Sequence, residues 1–158
     1  MKLGGILKEH LLAAVQEHQF AGAVDVCRQI APTVARELSR TEGVVVRRIS
    51  SKTRNPVNRP SDWEAEGLAV LERMLADGVE PAAAEWSSTA ENGEGERELR
   101  YLKAIVTEPL CLTCHGEVRE PDLVQTLRAL YPRDEATGYR AGQLRGAFSV
   151  LIPLVPAP

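Results

Sequence analysis

The sequence predicts an α+β fold, an antiparallel sheet with helices packed on it. Three observations lead there. A β-branched run, "GVVVRRIS", stands at 43–50. A hairpin pattern follows, "AEWSSTA" and "RELRYLKAIVTE" about the turn "ENGEGE". Segments with helical apolar spacing lie before, between and after these strands.

The first element is helical, over 4–30. Phe20, Val24, Cys27, Ala31, Val34 and Leu38 recur at alternating steps of four and three, a single apolar stripe. Pro32 disfavours the helical region for Ala31, so a kink or break is expected there, with Pro32 opening a second helix. Gly43 ends that helix and the 43–50 strand begins. "SKTRNPVNRPSD" reads as a Pro/Asn loop. Ser61 then caps a helix, with Glu64 as the reciprocal partner of a capping box. Trp63, Leu68, Leu71, Met74 and Leu75 form its apolar face, and Gly78 is its stop. After the hairpin, whose acidic tip "ENGEGERE" reads as solvated, comes "PLCLTCHGEV", placed in a loop or short helical turn. "PDLVQTLRALY" is a short helix between Pro121 and Pro132, and "QLRGAFSVLIPLV" closes as a strand.

The 158 residues favour one domain with one core, spanning 1–158: a helical segment at 1–40, then the sheet at 41–158. Hydrophobic residues make up 44% of the chain, enough for a packed core, but aromatic residues only 4%. Such a core is either aliphatic or completed by a flat cofactor. The net charge of −3 offers no basic excess to meet a phosphate backbone, which argues against nucleic acid as a partner. No apolar run approaches the ~18 residues of a membrane span. The start, "MKLGGILKEHLLAAVQEHQF", is broken by charges and does not read as a secretory signal.

The chemistry lies in Cys111, Cys114 and His115. C-x-x-C-H is the signature of c-type haem attachment. Two thiols add across the two vinyl groups of haem, and the adjacent histidine becomes the proximal iron ligand. Three rivals stand beside this reading. The pair is also compatible with a redox-active dithiol at a helix N-terminus. With Cys27 the three residues make up a Cys₃His zinc set, although adjacent ligands suit tetrahedral zinc poorly. The spacing also arises by chance.

Haem held by His115 leaves a sixth position. The candidates are Cys27, His10, His18, Met1 and Met74. At about 100° per residue, His18 lies about 180° from Cys27 and His10 about 100° from it, so a core-facing Cys27 turns His18 to solvent. Met74 reads as core packing. Cys27 ranks first on geometry, while a small buried hydrophobe remains its plainer role. Arg47, Arg54, Asn55, Asn58, Tyr139 and Arg145 are candidate partners for haem propionates, arginine for its bidentate match to a carboxylate. Alone, each reads as readily as surface or turn chemistry.

Three blocks, "RRISSKTRNPVNRPSDWE", "PLCLTCHG" and "LYPRDEATGYRAGQLRGAFSV", together resemble a family of c-type-haem domains, many of whose members are labelled only as domains of unknown function. The resemblance runs from about Val24 to Val150. It implies a PAS-like antiparallel sheet with flanking helices, preceded by a long N-terminal helix. It implies His115 as one axial ligand and, within "VCRQIAP", Cys27 as the other. The family is thought to sense redox state or small ligands. The expected cofactor is one covalent haem c per chain, and the expected role is a redox or gas sensor rather than an enzyme. Thiolate favours ferric iron. Reduction is therefore expected to release Cys27, opening a site for CO, NO or another ligand and freeing the N-terminal helix to shift. A permanently six-coordinate electron-transfer cytochrome is the alternative. No distal acid–base residue stands out for catalysis. Because haem c is attached outside the cytoplasm, a periplasmic or otherwise extracytoplasmic location is expected, with signal or anchor outside this chain. A signalling partner or electron donor, and a homodimer through the N-terminal helix, are the remaining expectations.

Overall fold

The computed structural model describes residues 5, 6, 8–10, 12–14, 23, 24, 26–118 and 120–154. The described residues before 25 are helical, but the long N-terminal helix as a whole lies outside the described residues. Val26–Ile30 forms a π-turn that runs directly into α1, Ala31–Glu42. Of the kink or break expected at Ala31, the chain shows a widened turn and no break, and the second helix opens at Ala31 with Pro32 in its first turn, close to the expected start. Ile30 is helical at φ −71° and ψ −46°, and the chain widens by one residue per turn rather than leaving the helix. A wider turn moves the ring of Pro32 clear of the preceding carbonyls. Gly43, at φ 65°, stops α1 in the left-handed conformation.

The sheet has the order β1-β4-β3-β2 and is antiparallel throughout. Its strands are β1, Val45–Ile49; β2, Glu85–Glu91; β3, Arg97–Val106; and β4, Leu144–Pro153. β2 and β3 are the expected hairpin. Asn92 Oδ1 closes its tip by accepting from the amides of Glu94 and Glu96. The last strand inserts between the first and the third, so residues far apart in sequence meet at the β1–β4 seam.

Helices cover both faces. α2, Asp62–Ala76, starts at the predicted capping box, where the Glu64 carboxylate accepts from the Ser61 amide at 2.8 Å and its hydroxyl at 3.0 Å. It packs Leu68 and Leu71 on Ile49, Leu102 and Ala147. Each such fully buried aliphatic side chain contributes roughly 1.5–3 kcal/mol. Trp63 stacks on Trp86 with ring centroids 6.0 Å apart, an anchor for the helix as expected. The approach is close: a Cβ on Gly67 would lie 2.4 Å from Leu102 Cδ1. On the other face, α1 packs Val34, Ala35 and Leu38 against Val46, Ile105 and Phe148. Strand alternation therefore divides neighbours such as Arg47 and Arg48 between the two faces.

A third cluster lies off the sheet. α4, Pro121–Leu130, sets Leu123 and Leu127 against Val24, Cys114, Val118 and Tyr131. The N-terminal stripe and the cysteine motif meet there. Among the described residues no helix is long and apolar enough to cross a membrane.

Candidate functional site

Pro109–Cys111 makes one 3₁₀ turn, and α3, Leu112–His115, follows as one α-turn. The three- and four-residue spacings bring Cys114 to within about 60° of Cys111 on one side and His115 to within about 40° of it on the other. All three cysteines of the chain carry free thiols and are half-buried. Gly116 ends α3 through its amide, which donates to the Leu112 carbonyl at 2.8 Å.

His115 is held by the loop 134–139. Its Nδ1–H donates to the Ala136 carbonyl at 2.8 Å. A carbonyl only accepts, so Nδ1 carries the hydrogen and Nε2 keeps its lone pair. The main chain is tied as well, with Tyr139 N donating to the His115 carbonyl at 2.9 Å and Gly138 N to the Gly116 carbonyl at 3.1 Å. Burial, followed by the charges of Arg145 and Arg54, pushes the imidazole down to about 3, against the pull of the Ala136 bond. The ring is neutral, as a metal-ligating histidine must be. Tyr139, buried, meets it edge-on at 6.4 Å between centroids.

The predicted polar partners divide into two groups. Arg54 and Arg145 converge on the site. Arg54 Nε donates to Asp134 at 2.9 Å while its terminal nitrogen donates to the Cys114 carbonyl at 2.6 Å, which clamps the histidine loop to the cysteine turn. Arg145 donates to Ser50 Oγ at 2.8 Å and lies 5.2 Å from the Tyr139 ring, while its buried Nε has no hydrogen-bond partner among the described residues. Tyr139 also lies here, under Lys52 on another side. Arg47 on β1 and Asn55 and Asn58 in the loop after it lie apart from the site. Arg47 donates to the Val57 and Arg59 carbonyls on the α2 face, Asn55 caps the 3₁₀ turn Pro56–Asn58, and the Asn58 carbonyl accepts from the Ser50 amide.

Cys27 lies in the π-turn, one turn beyond Val24, which packs near Cys114. Its field reaches Cys114, Tyr131 and Arg145. Of the other sixth-position candidates, Met74 packs in the α2 core and His10 is exposed, while Met1 and His18 lie outside the described residues. Among the described residues no three of His, Cys, Asp and Glu converge in a metal-binding group, so Cys27, Cys111, Cys114 and His115 do not form a zinc set. Burial raises the Cys114 thiol, the opposite of an activated dithiol.

Two participants escaped the sequence reading. The Ala136 carbonyl carries no side-chain signal at all. Arg48, whose guanidinium donates to the Cys27 carbonyl at 3.2 Å, was legible through strand alternation, which sets it on the face opposite Arg47. Beside the site, a cavity of about 400 Å³ opens between α4 and the histidine loop, walled by Val118, Val124, Leu127 and Tyr131 and floored by Gly116 and Gly138.

Fold and site together define an α+β domain with a C-x-x-C-H turn buttressed by a cationic pocket. The family model described as Tll0287-like matches residues 6–153, and the chain belongs to that family. Among solved structures, the cyanobacterial heme-protein Tll0287 matches with a TM-score of 0.72 at 23% identity, over 99% of this chain and 94% of that one. That likeness shows a shared fold. No curated protein matches.

Proposed function

We propose that this chain is a c-type haem protein with a PAS-like fold, that His115 and Cys27 are its axial ligands, and that it senses redox state or a small ligand such as CO or NO. The observation that carries the proposal is the His115 Nδ1–H bond to Ala136, which leaves Nε2 free beside two free thiols on one helical turn. The buried Arg145 Nε, which has no hydrogen-bond partner among the described residues, fits a propionate. That a member of the same fold is described as a heme-protein supports the reading. Cys111 and Cys114 would hold the group as thioethers. When bound, it supplies reversible one-electron chemistry and an axial position for a diatomic molecule.

The two ligands differ in how they are held. His115 is tied on both sides, through its ring to Ala136 and through its carbonyl to Tyr139. Cys27 sits on a π-turn held from the sheet through its main chain, by the Arg48 side chain. Cys27 is therefore the ligand able to leave, and this asymmetry favours a sensor over a fixed electron carrier. Movement of the π-turn passes to α1 and, through Val34, Leu38 and Phe148, to the sheet. The sensor is not an enzyme, works outside the cytoplasm, and signals through a partner or a second copy.

The test is to mature the chain with the haem c attachment machinery and compare absorption spectra of wild type and Cys27→Ala. Thiolate bands in the ferric wild type that vanish in Cys27→Ala support the ligand pair, and their loss on reduction of the wild type supports the sensor. Identical spectra would remove Cys27 from the iron, and thiolate ligation persisting in both states would favour electron transfer.

A further inference from the structure

The backbone of Cys27 is gripped from the sheet. We propose that Arg48 is the positioning residue that holds Cys27 in ligating range, and that it does so through the Cys27 carbonyl rather than the thiol. The inference rests on the axial role of Cys27 proposed above.

The local sequence creates the need. In a π-turn the carbonyl of residue i looks to the amide at i+5. For Cys27 that residue is Pro32, which has no amide hydrogen. The Cys27 carbonyl must find a donor elsewhere, and an unpaired buried carbonyl is costly. Arg48 meets that need at 3.2 Å. Its charge makes this bond stronger than one between neutral groups.

The anchor is rigid. Arg48 stands in β1, in register with Phe148 of β4, on the face that carries α1. Arg47, one residue earlier, is committed to the α2 face and cannot substitute. The Arg48 charge also acts on His115 and Arg145. The guanidinium thus stands between the ligand turn and the C-x-x-C-H site. A helix widened at a proline would otherwise leave the cysteine poorly fixed. The Arg48 bond converts it into a ligand with a defined position.

The experiment is an imidazole titration of the matured ferric protein, followed by absorption, in four variants. Imidazole nitrogen replaces the Cys27 sulfur at iron, and the released thiolate takes a proton from water. A weaker hold on Cys27 therefore appears as a lower apparent Kd for imidazole. Arg48→Met is expected to lower it about tenfold, the size of losing one charge-assisted bond. Arg48→Lys, which keeps the charge and a single donor, gives an intermediate shift. Cys27→Ala lowers the Kd further, and Arg48→Met added to Cys27→Ala changes nothing more. If Arg48→Met proves too unstable to mature, Arg48→Lys in the two backgrounds makes the same comparison. A wild-type Kd in both Arg48 variants, with Cys27→Ala shifted, overturns the role of Arg48 and leaves the ligand pair standing. An equal shift with and without Cys27 reduces Arg48 to a general structural residue and also overturns it. A wild-type Kd in Cys27→Ala overturns the ligand pair itself, and this inference with it.

Discussion

The ring of His115 is aimed by a backbone atom 21 residues downstream, the carbonyl of Ala136, at 2.8 Å. The Ala136 amide is fixed in turn by Asp134 Oδ1 at 2.8 Å, and Asp134 is fixed by Arg54. The orientation of the candidate ligand therefore depends on a loop made of main chain and one ion pair. Ligating histidines are commonly set in this way, through their second nitrogen.

Removing the ring should separate attachment from ligation. In matured His115→Gly, both thioethers form through Cys111 and Cys114, while the low-spin spectrum is lost. Added imidazole then restores it, because the cavity keeps the Ala136 carbonyl that aims the ring. Absorption with and without imidazole is the measurement. Failure of imidazole to restore the low-spin state would show that the loop does not orient the ligand.

The Arg54 clamp should matter to stability as well as to shape. Arg54 and Asp134 expose only 11% and 12% of their side chains. Arg54→Ala leaves Asp134 nearly buried and uncompensated, a loss of about 3 kcal/mol. Arg54→Lys recovers only part, since one ammonium does not reproduce the fork that bridges Asp134 and the Cys114 carbonyl. Urea denaturation, with its slope unchanged, reads the difference.

The β1–β4 seam has no room at Gly146. A Cβ there would stand 2.1 Å from the Ile49 carbonyl oxygen, a backbone atom that cannot rotate away. Gly146→Ala should cost about 1–3 kcal/mol by forcing the strands apart. It should also disturb the site, because Arg48 and Arg145 flank this seam on β1 and β4. Thermal unfolding and the ferric spectrum of the matured variant check both effects.

Most elements were legible along the chain because their causes are local. The Ser61–Glu64 box, the Asn92 hairpin tip and the proline-bounded α4 each rest on residues a few positions apart. Pro32 was legible as the place of a kink or break and as the opening of a second helix, but not as a widened turn, since whether a helix widens or ends depends on whether a displaced carbonyl can be satisfied. The donor that satisfies it, Arg48, lies 21 residues away.

The sequence by itself determined the chemistry on offer: two thiols and a histidine at fixed spacing, a third cysteine on an apolar stripe, and arginines enough to meet an anion. Spacing within one helical turn is a local property, and it needs no fold to express it. Only the tertiary structure decided which arginines face the site, which nitrogen of His115 is free, and what holds Cys27. β4 inserts between β1 and β3, and that pairing brings Arg48, Ser50 and Arg145 together around residues from two other parts of the chain. Ala136 takes part through a carbonyl that every residue possesses, so its role comes from position alone.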